Sequence, residues 1–178
     1  MFSQGDTLDT NTAGPNLYIG NNGVNDIPIA IDNDDTFRGD GNVIGSPEDD
    51  VFDSLNSGAA TLLGGDDRAD FAGSITGPTF GNEGNDTIGA MSVAGSAPVS
   101  GGAGDDSINV MGVADSSISG GDGNDWLEVG EANDSVTGDA GNDTIDVGSA
   151  SSGVSGGEGN DNINVDNLEM GGTITGDA

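Results

Sequence analysis

The sequence predicts an all-β fold: a parallel β-roll, or β-solenoid, with about 18–20 residues per coil. Three observations carry this. Five stretches align without gaps: GNEGNDTIG from Gly81, GGAGDDSIN from Gly101, GGDGNDWLE from Gly120, GDAGNDTID from Gly138 and GGEGNDNIN from Gly156, with starts 20, 19, 18 and 18 residues apart. Apolar residues alternate behind each stretch with a period of two, as in a strand with one buried face. Glycine falls every few residues throughout, and each would cost a helix interior about 1 kcal/mol.

Within each stretch Gly opens place one, Gly recurs at place four and Asp holds place six. Place eight is Ile88, Ile108, Leu127, Ile145 or Ile163, and in the last four units Val110, Val129, Val147 and Val165 follow two residues later. A second apolar column, Val99, Ile118, Val136, Val154 and Ile174, lies two residues before the start of the next unit. Each coil therefore reads turn, short strand, second turn, short strand. The second turns, GVADSS (112–117), GEANDS (130–135) and GSASSG (148–153), read as the first motif with its glycines and acids worn away. The underlying period is nine residues, two per coil. One coil is too thin to bury its own apolar residues, so coils must stack into a narrow continuous core. At about 4.8 Å per strand, some seven coils from Gly45 would extend about 35 Å.

Composition alone argues for disorder, which the order of the residues overturns. The 178 residues include 34 Gly, 32% hydrophobic residues, and 32 Asp plus Glu against two basic residues, Arg38 and Arg68, for a formal charge of −30. Nothing here could neutralise phosphates, which excludes nucleic acid and anionic membrane as partners. No apolar run approaches the roughly 20 residues of a spanning helix, so direct membrane insertion is not expected. The opening MFSQGDTLDT lacks the segments of a cleaved signal peptide. With no His, Cys or Lys, there is no triad, no zinc motif and no Schiff base, and an enzyme is not expected.

Stacking aligns Asp86, Asp106, Asp125, Asp143 and Asp161 down one edge. Carboxylates about 5 Å apart repel strongly without a counterion. Glycine-rich turns can direct backbone carbonyls inward, and carbonyls with carboxylates form an all-oxygen donor set. Such a set suits Ca²⁺ rather than Mg²⁺ or a soft metal. An EF-hand fails, because Asp32-Asn33-Asp34-Asp35 lacks the Gly and Glu at the required spacing.

These residues resemble the RTX, or haemolysin-type, calcium-binding nonapeptide repeat, GGxGxDxUx, over residues 81–164, with a weaker likeness from 45. VIGSPEDDVFD (43–53) looks like a worn first repeat, with Ser46 and Glu48 where glycines belong; Ser46-Pro47-Glu48 also reads as a helix N-terminus. LLGGDDRADF (62–71) looks like a displaced repeat, with Ala69 at the expected Asp place. The resemblance implies that each calcium sits between successive turns, taking carbonyls two and four from one turn, one and three from the next, and place-six Asp from both. Asn82, Gly84 and Asp86 would then meet Gly101, Ala103 and Asp106. Gly102, Gly104 and Asp106 would meet Gly120, Asp122 and Asp125. Gly121, Gly123 and Asp125 would meet Gly138, Ala140 and Asp143, and Asp139, Gly141 and Asp143 would meet Gly156, Glu158 and Asp161. Five motifs give about four complete sites. No regular row is expected on the other edge, where Ala132 and Ala150 stand in worn turns and Asp115 and Asp134 read as solvated. The family is typically exported by type I secretion and folds in extracellular calcium, which implies a secreted or cell-surface protein.

Residues 1–44 carry no clear repeat and read as an N-terminal cap or junction, ahead of a solenoid over 45–178; YIGNNGVNDIPI (18–29) is read as one more degraded coil. Trp126 stands at an outward place and reads as a lateral contact, a sugar platform or local cover over neighbouring coils. The chain stops inside a turn, at Gly176-Asp177-Ala178. Two expectations follow: a fragment of a longer repeat protein, or a head-to-tail homo-oligomer in which residues 1–44 of one copy dock on residues 165–178 of the next. The expected role is a calcium-binding structural module of a surface layer, adhesin or filament. The alternative is an ice-binding solenoid using the outward hydroxyls Ser100, Ser119, Thr137, Ser155 and Thr175, a ladder flanked by a column that Gly153 breaks.

Overall fold

The computed structural model describes residues 7–9, 29–30, 36–38, 42–45 and 47–176. Its strands, in chain order, are β1 (Thr7–Asp9), β2 (Ile29–Ala30), β3 (Thr36–Arg38), β4 (Val43–Ile44), β5 (Val51–Gly64), β6 (Arg68–Glu83), β7 (Thr87–Val93) and β8 (Val99–Ala103). They continue as β9 (Ser107–Ala114), β10 (Ile118–Asp122), β11 (Trp126–Ala132), β12 (Val136–Ala140), β13 (Thr144–Ala150), β14 (Gly153–Glu158), β15 (Asn162–Leu168) and β16 (Thr173–Thr175). Every pairing is parallel, and from β7 onward each strand pairs with the strand two places along. That is a β-solenoid: two parallel faces, β7-β9-β11-β13-β15 and β8-β10-β12-β14-β16, joined where β6 wraps around the coil and pairs with both β7 and β8.

The alternation read from the sequence places the core. Ile88, Ile108, Leu127 and Ile145 are buried on one face, and Val99, Ile118, Val136 and Val154 on the other. Stacked neighbours share register, as in Leu127 with Ile145 and Ile118 with Val136, so each apolar column is continuous. Burying one such side chain contributes about 1.5–3 kcal/mol, and only the neighbouring coils provide that cover.

A third inward column was not legible in the pattern. Val93, Ala114, Ala132 and Ala150 are buried three or four residues beyond the last alternating position, after an irregularity in the ladder between Val129 and Glu131. Ala132 is therefore a core residue at the corner of the coil and not merely a turn glycine that has been lost.

Two local expectations are corrected. Among the described residues there is no helix, and residues 47–50 lead straight into β5, which removes the helix N-terminus at Pro47-Glu48. Among the described residues no helix is long and apolar enough to cross a membrane. In the second coil Ala69 pairs with Phe52 and Ile88 in the inward place-eight column, and Asp67, not Ala69, holds place six. Ahead of the solenoid, β3 pairs with β1 and β5, and β4 with β2 and β5, in the same parallel sense. The coil expected at 18–29 falls, apart from Ile29, outside the described residues.

Because Ile108 is fully buried between Ile88 and Leu127, Ile108→Ala is expected to destabilise the calcium-loaded protein by about 2–5 kcal/mol. Urea unfolding followed by circular dichroism measures it.

Candidate metal centre

Place-six aspartates form one column from the first described coil to the last: Asp50, Asp67, Asp86, Asp106, Asp125, Asp143 and Asp161. Each is linked to the next by the same bond. The backbone N–H of one Asp donates to Oδ1 of the Asp one coil on, at 2.7 Å for Asp50 to Asp67, 2.9 Å for Asp67 to Asp86 and 2.7 Å for Asp86 to Asp106. The ladder continues at 2.8 Å to Asp125, 2.8 Å to Asp143 and 3.0 Å to Asp161. The carbonyl of each Asp from Asp50 to Asp143 accepts from the place-seven N–H of the following coil, as in Trp126 to Asp106 at 2.8 Å. Each Asp thus clamps two coils through its backbone and through one carboxylate oxygen.

The other oxygen is the informative one. Oδ2 of Asp67, Asp86, Asp106, Asp125, Asp143 and Asp161 is buried and accepts no hydrogen bond among the described residues. A buried carboxylate oxygen without a donor is costly. Burial is the largest influence on Asp67, Asp86, Asp106, Asp125 and Asp143. It raises Asp67 from an ordinary value of 3.8 to about 8, Asp106 to about 7, and Asp86 and Asp125 to about 6, with neighbouring carboxylates adding to the rise. Asp143 is raised for the same reason.

Glycines shape the rest of the edge. Place four is left-handed throughout, from Gly84 at φ 119° to Gly141 at φ 138°, a region that favours glycine. A Cβ on Gly104 would also collide with the carbonyl oxygen of Gly84 in the preceding coil. Place one has a different reason: a Cβ on Gly120 would collide with Oδ2 of Asp125 in its own turn. Place-two and place-four carbonyls such as those of Asn82 and Gly84 lie against the coil that follows. The place-one carbonyl of Gly101 lies against Gly81 in the coil before, and the place-three carbonyl of Ala103 accepts from the N–H of Gly84 at 2.8 Å. Carbonyls from both turns therefore face the same inter-coil layer as the carboxylates. Among the described residues no three acidic side chains gather round one point. An ion here would take most of its oxygens from the backbone, a donor set of the hard, flexible kind that fits calcium.

The residues expected at the sites occupy these positions. Asp86, Asp106, Asp125 and Asp143 are buried and Asp161 is half-buried. Asp122 and Glu158, expected to contribute only their carbonyls, carry exposed side chains. The worn first repeat read at 43–53 puts Asp50 at place six, as found, though it was not counted in the column; Asp67 was missed. The sequence reading also missed place five. Asp49, Asp66, Asn85, Asp105, Asn124, Asn142 and Asn160 form an exposed ladder, each accepting from the backbone N–H of the next, as in Asn124 to Asp105 at 2.7 Å. The Asn side chains at 85, 124, 142 and 160 also donate to the preceding member. The signal was present, since place five is Asn or Asp in all five motifs. On the opposite edge Asp115 and Asp134 are exposed; Asp115 accepts from Asn133 at 2.8 Å, and Asp134 from the N–H of Ser135 at 2.7 Å.

With this geometry in view, the family comparison is specific. Residues 98–115 and 119–151 match the RTX calcium-binding nonapeptide repeat in four copies. No curated relative and no solved structure matches the chain. The matched residues thus carry RTX-type repeats on a β-solenoid, which supports a calcium-binding structural module.

In EDTA, the raised carboxylates set a pH dependence. Between 3.8 and about 8 the folded chain binds more protons than the unfolded chain, so its stability falls as pH rises through that window. In EDTA, circular dichroism is expected to show more strand near pH 4.5 than near pH 8.

Proposed function

We propose that calcium ions lie between successive place-six turns and that the protein is a secreted structural module ordered by extracellular calcium. The observation that carries this reading is the column of buried Oδ2 atoms with no hydrogen-bond donor. The donors would be Asn82, Gly84 and Asp86 with Gly101, Ala103 and Asp106; Gly102, Gly104 and Asp106 with Gly120, Asp122 and Asp125; Gly121, Gly123 and Asp125 with Gly138, Ala140 and Asp143; and Asp139, Gly141 and Asp143 with Gly156, Glu158 and Asp161. All but the aspartates at place six would act through backbone carbonyls. What calcium supplies is charge: four ions bring +8 against a formal −30. The chain supplies alignment, through the Oδ1 ladder, and exclusion of water from the Oδ2 side.

Secretion is supported by the habit of the repeat family and by the millimolar calcium that such weak, mixed donor sets need. A mechanical role follows from the architecture, because an ion shared by two coils stiffens the stack along its length. The hydroxyl face lends little to ice binding: Ser119 and Thr137 both donate to the carboxylate of Asp139, which ties them within the sheet.

Circular dichroism is expected to show coil in EDTA at pH 8 and strand after millimolar calcium is added; equal strand content in both would overturn the reading. Asp125→Asn touches two inter-coil layers and is expected to lower the number of bound ions by about two. Asp134→Asn, on the opposite edge, is expected to leave that number unchanged; equilibrium dialysis measures both.

A further inference from the structure

We propose a further calcium site between the turns of Asp67 and Asp86, where the earlier turn has lost the glycine motif and lies outside the family match. The inference rests on the reading of the row given above and extends it into sequence that does not declare it. Asp67 is 2% exposed, and its Oδ2 accepts no hydrogen bond among the described residues. Its remaining bonds are those of a place-six Asp: Oδ1 accepts from Asp50, its N–H donates to Asp86, and its carbonyl accepts from Thr87.

The backbone around it has the same form. Leu63 and Gly65 occupy places two and four, at φ 85° and 99°, the left-handed conformations that Gly102 and Gly104 adopt in the recognised repeats. For Leu63 that conformation is strained, and such strain persists where surrounding structure or function requires it. Leu63 is in register with Asn82, and Gly64 with Glu83. A Cβ on Gly84 would collide with the carbonyl oxygen of Gly65, the relation that Gly104 bears to Gly84. The layer is lined by the carbonyls of Gly65 from one turn and Glu83 from the next, with the carboxylates of Asp67 and Asp86, and the register puts Leu63 and Gly81 at the two remaining donor places. One feature departs from the pattern. Leu62 stands at place one, where the later turns have Gly, and its side chain is buried in the core.

The test is a calcium count on the whole chain by native mass spectrometry at saturating calcium, with Asp67→Asn and Asp134→Asn alongside. Five or more ions in the unaltered chain, with at least one lost in Asp67→Asn and none in Asp134→Asn, supports the site. Four ions, or a count that Asp67→Asn leaves unchanged, overturns it while the row from Asp86 to Asp161 stands. A chain that binds no calcium overturns the whole reading. If Asp67→Asn fails to fold, the count on the unaltered chain decides alone.

Discussion

The rest of this structure depends on a column of carboxylates that the fold buries in single file. Place-six aspartates lie one coil apart, and at about 5 Å two like charges repel by about 3 kcal/mol even at an effective dielectric near 20. The fold cannot move them aside, because each is also the clamp that holds one coil to the next through its N–H, its carbonyl and Oδ1. One oxygen of each carboxylate is thereby committed to structure, and the other is turned into a buried layer with no donor to meet it. Protons or a cation must relieve that charge. An all-oxygen layer of this kind suits calcium.

The glycines follow from the same constraint. A coil rise fixed by backbone hydrogen bonding leaves no room for a Cβ between the carbonyls of one turn and the Cα atoms of the next, as at Gly104, or beside the carboxylate itself, as at Gly120. The core is thin for a related reason. Two strand faces enclose little more than paired Ile and Val columns, with Ala132 and its equivalents at the corner. So slight a core gives each coil little stability of its own, and the aspartate hydrogen-bond ladder joins coil to coil along the edge. The opposite edge shows what a turn needs when it carries no such burden: exposed Asp, Asn and Ser bonded to one another, with Asp115 and Asp134 open to water.

Much of this was legible in the letters, and what was missed has specific causes. The place-five ladder escaped notice because an exposed residue in a turn reads as unconstrained, although Asn85, Asp105, Asn124, Asn142 and Asn160 share one chemistry. Ala132 escaped because an irregularity after Val129 breaks the period of two, and alternation cannot be counted through a bulge. Asp67 escaped because Gly64-Gly65 suggested a motif beginning two residues late.

That last error separates the two sources of information. The sequence by itself determined the coil length, the inward columns and the row from Asp86 to Asp161, because in five intact units glycine, aspartate and aliphatic spacing all agree. Only the tertiary structure decided the register of the second coil. A slip of one residue would turn every side chain over and would be evident from hydrophobicity, but a slip of two keeps inward residues inward. Ala69 and Phe71 are both buried, so alternation could not choose between them. The choice was made by stacking: Ala69 falls between Phe52 and Ile88, and this brings Asp67 between Asp50 and Asp86.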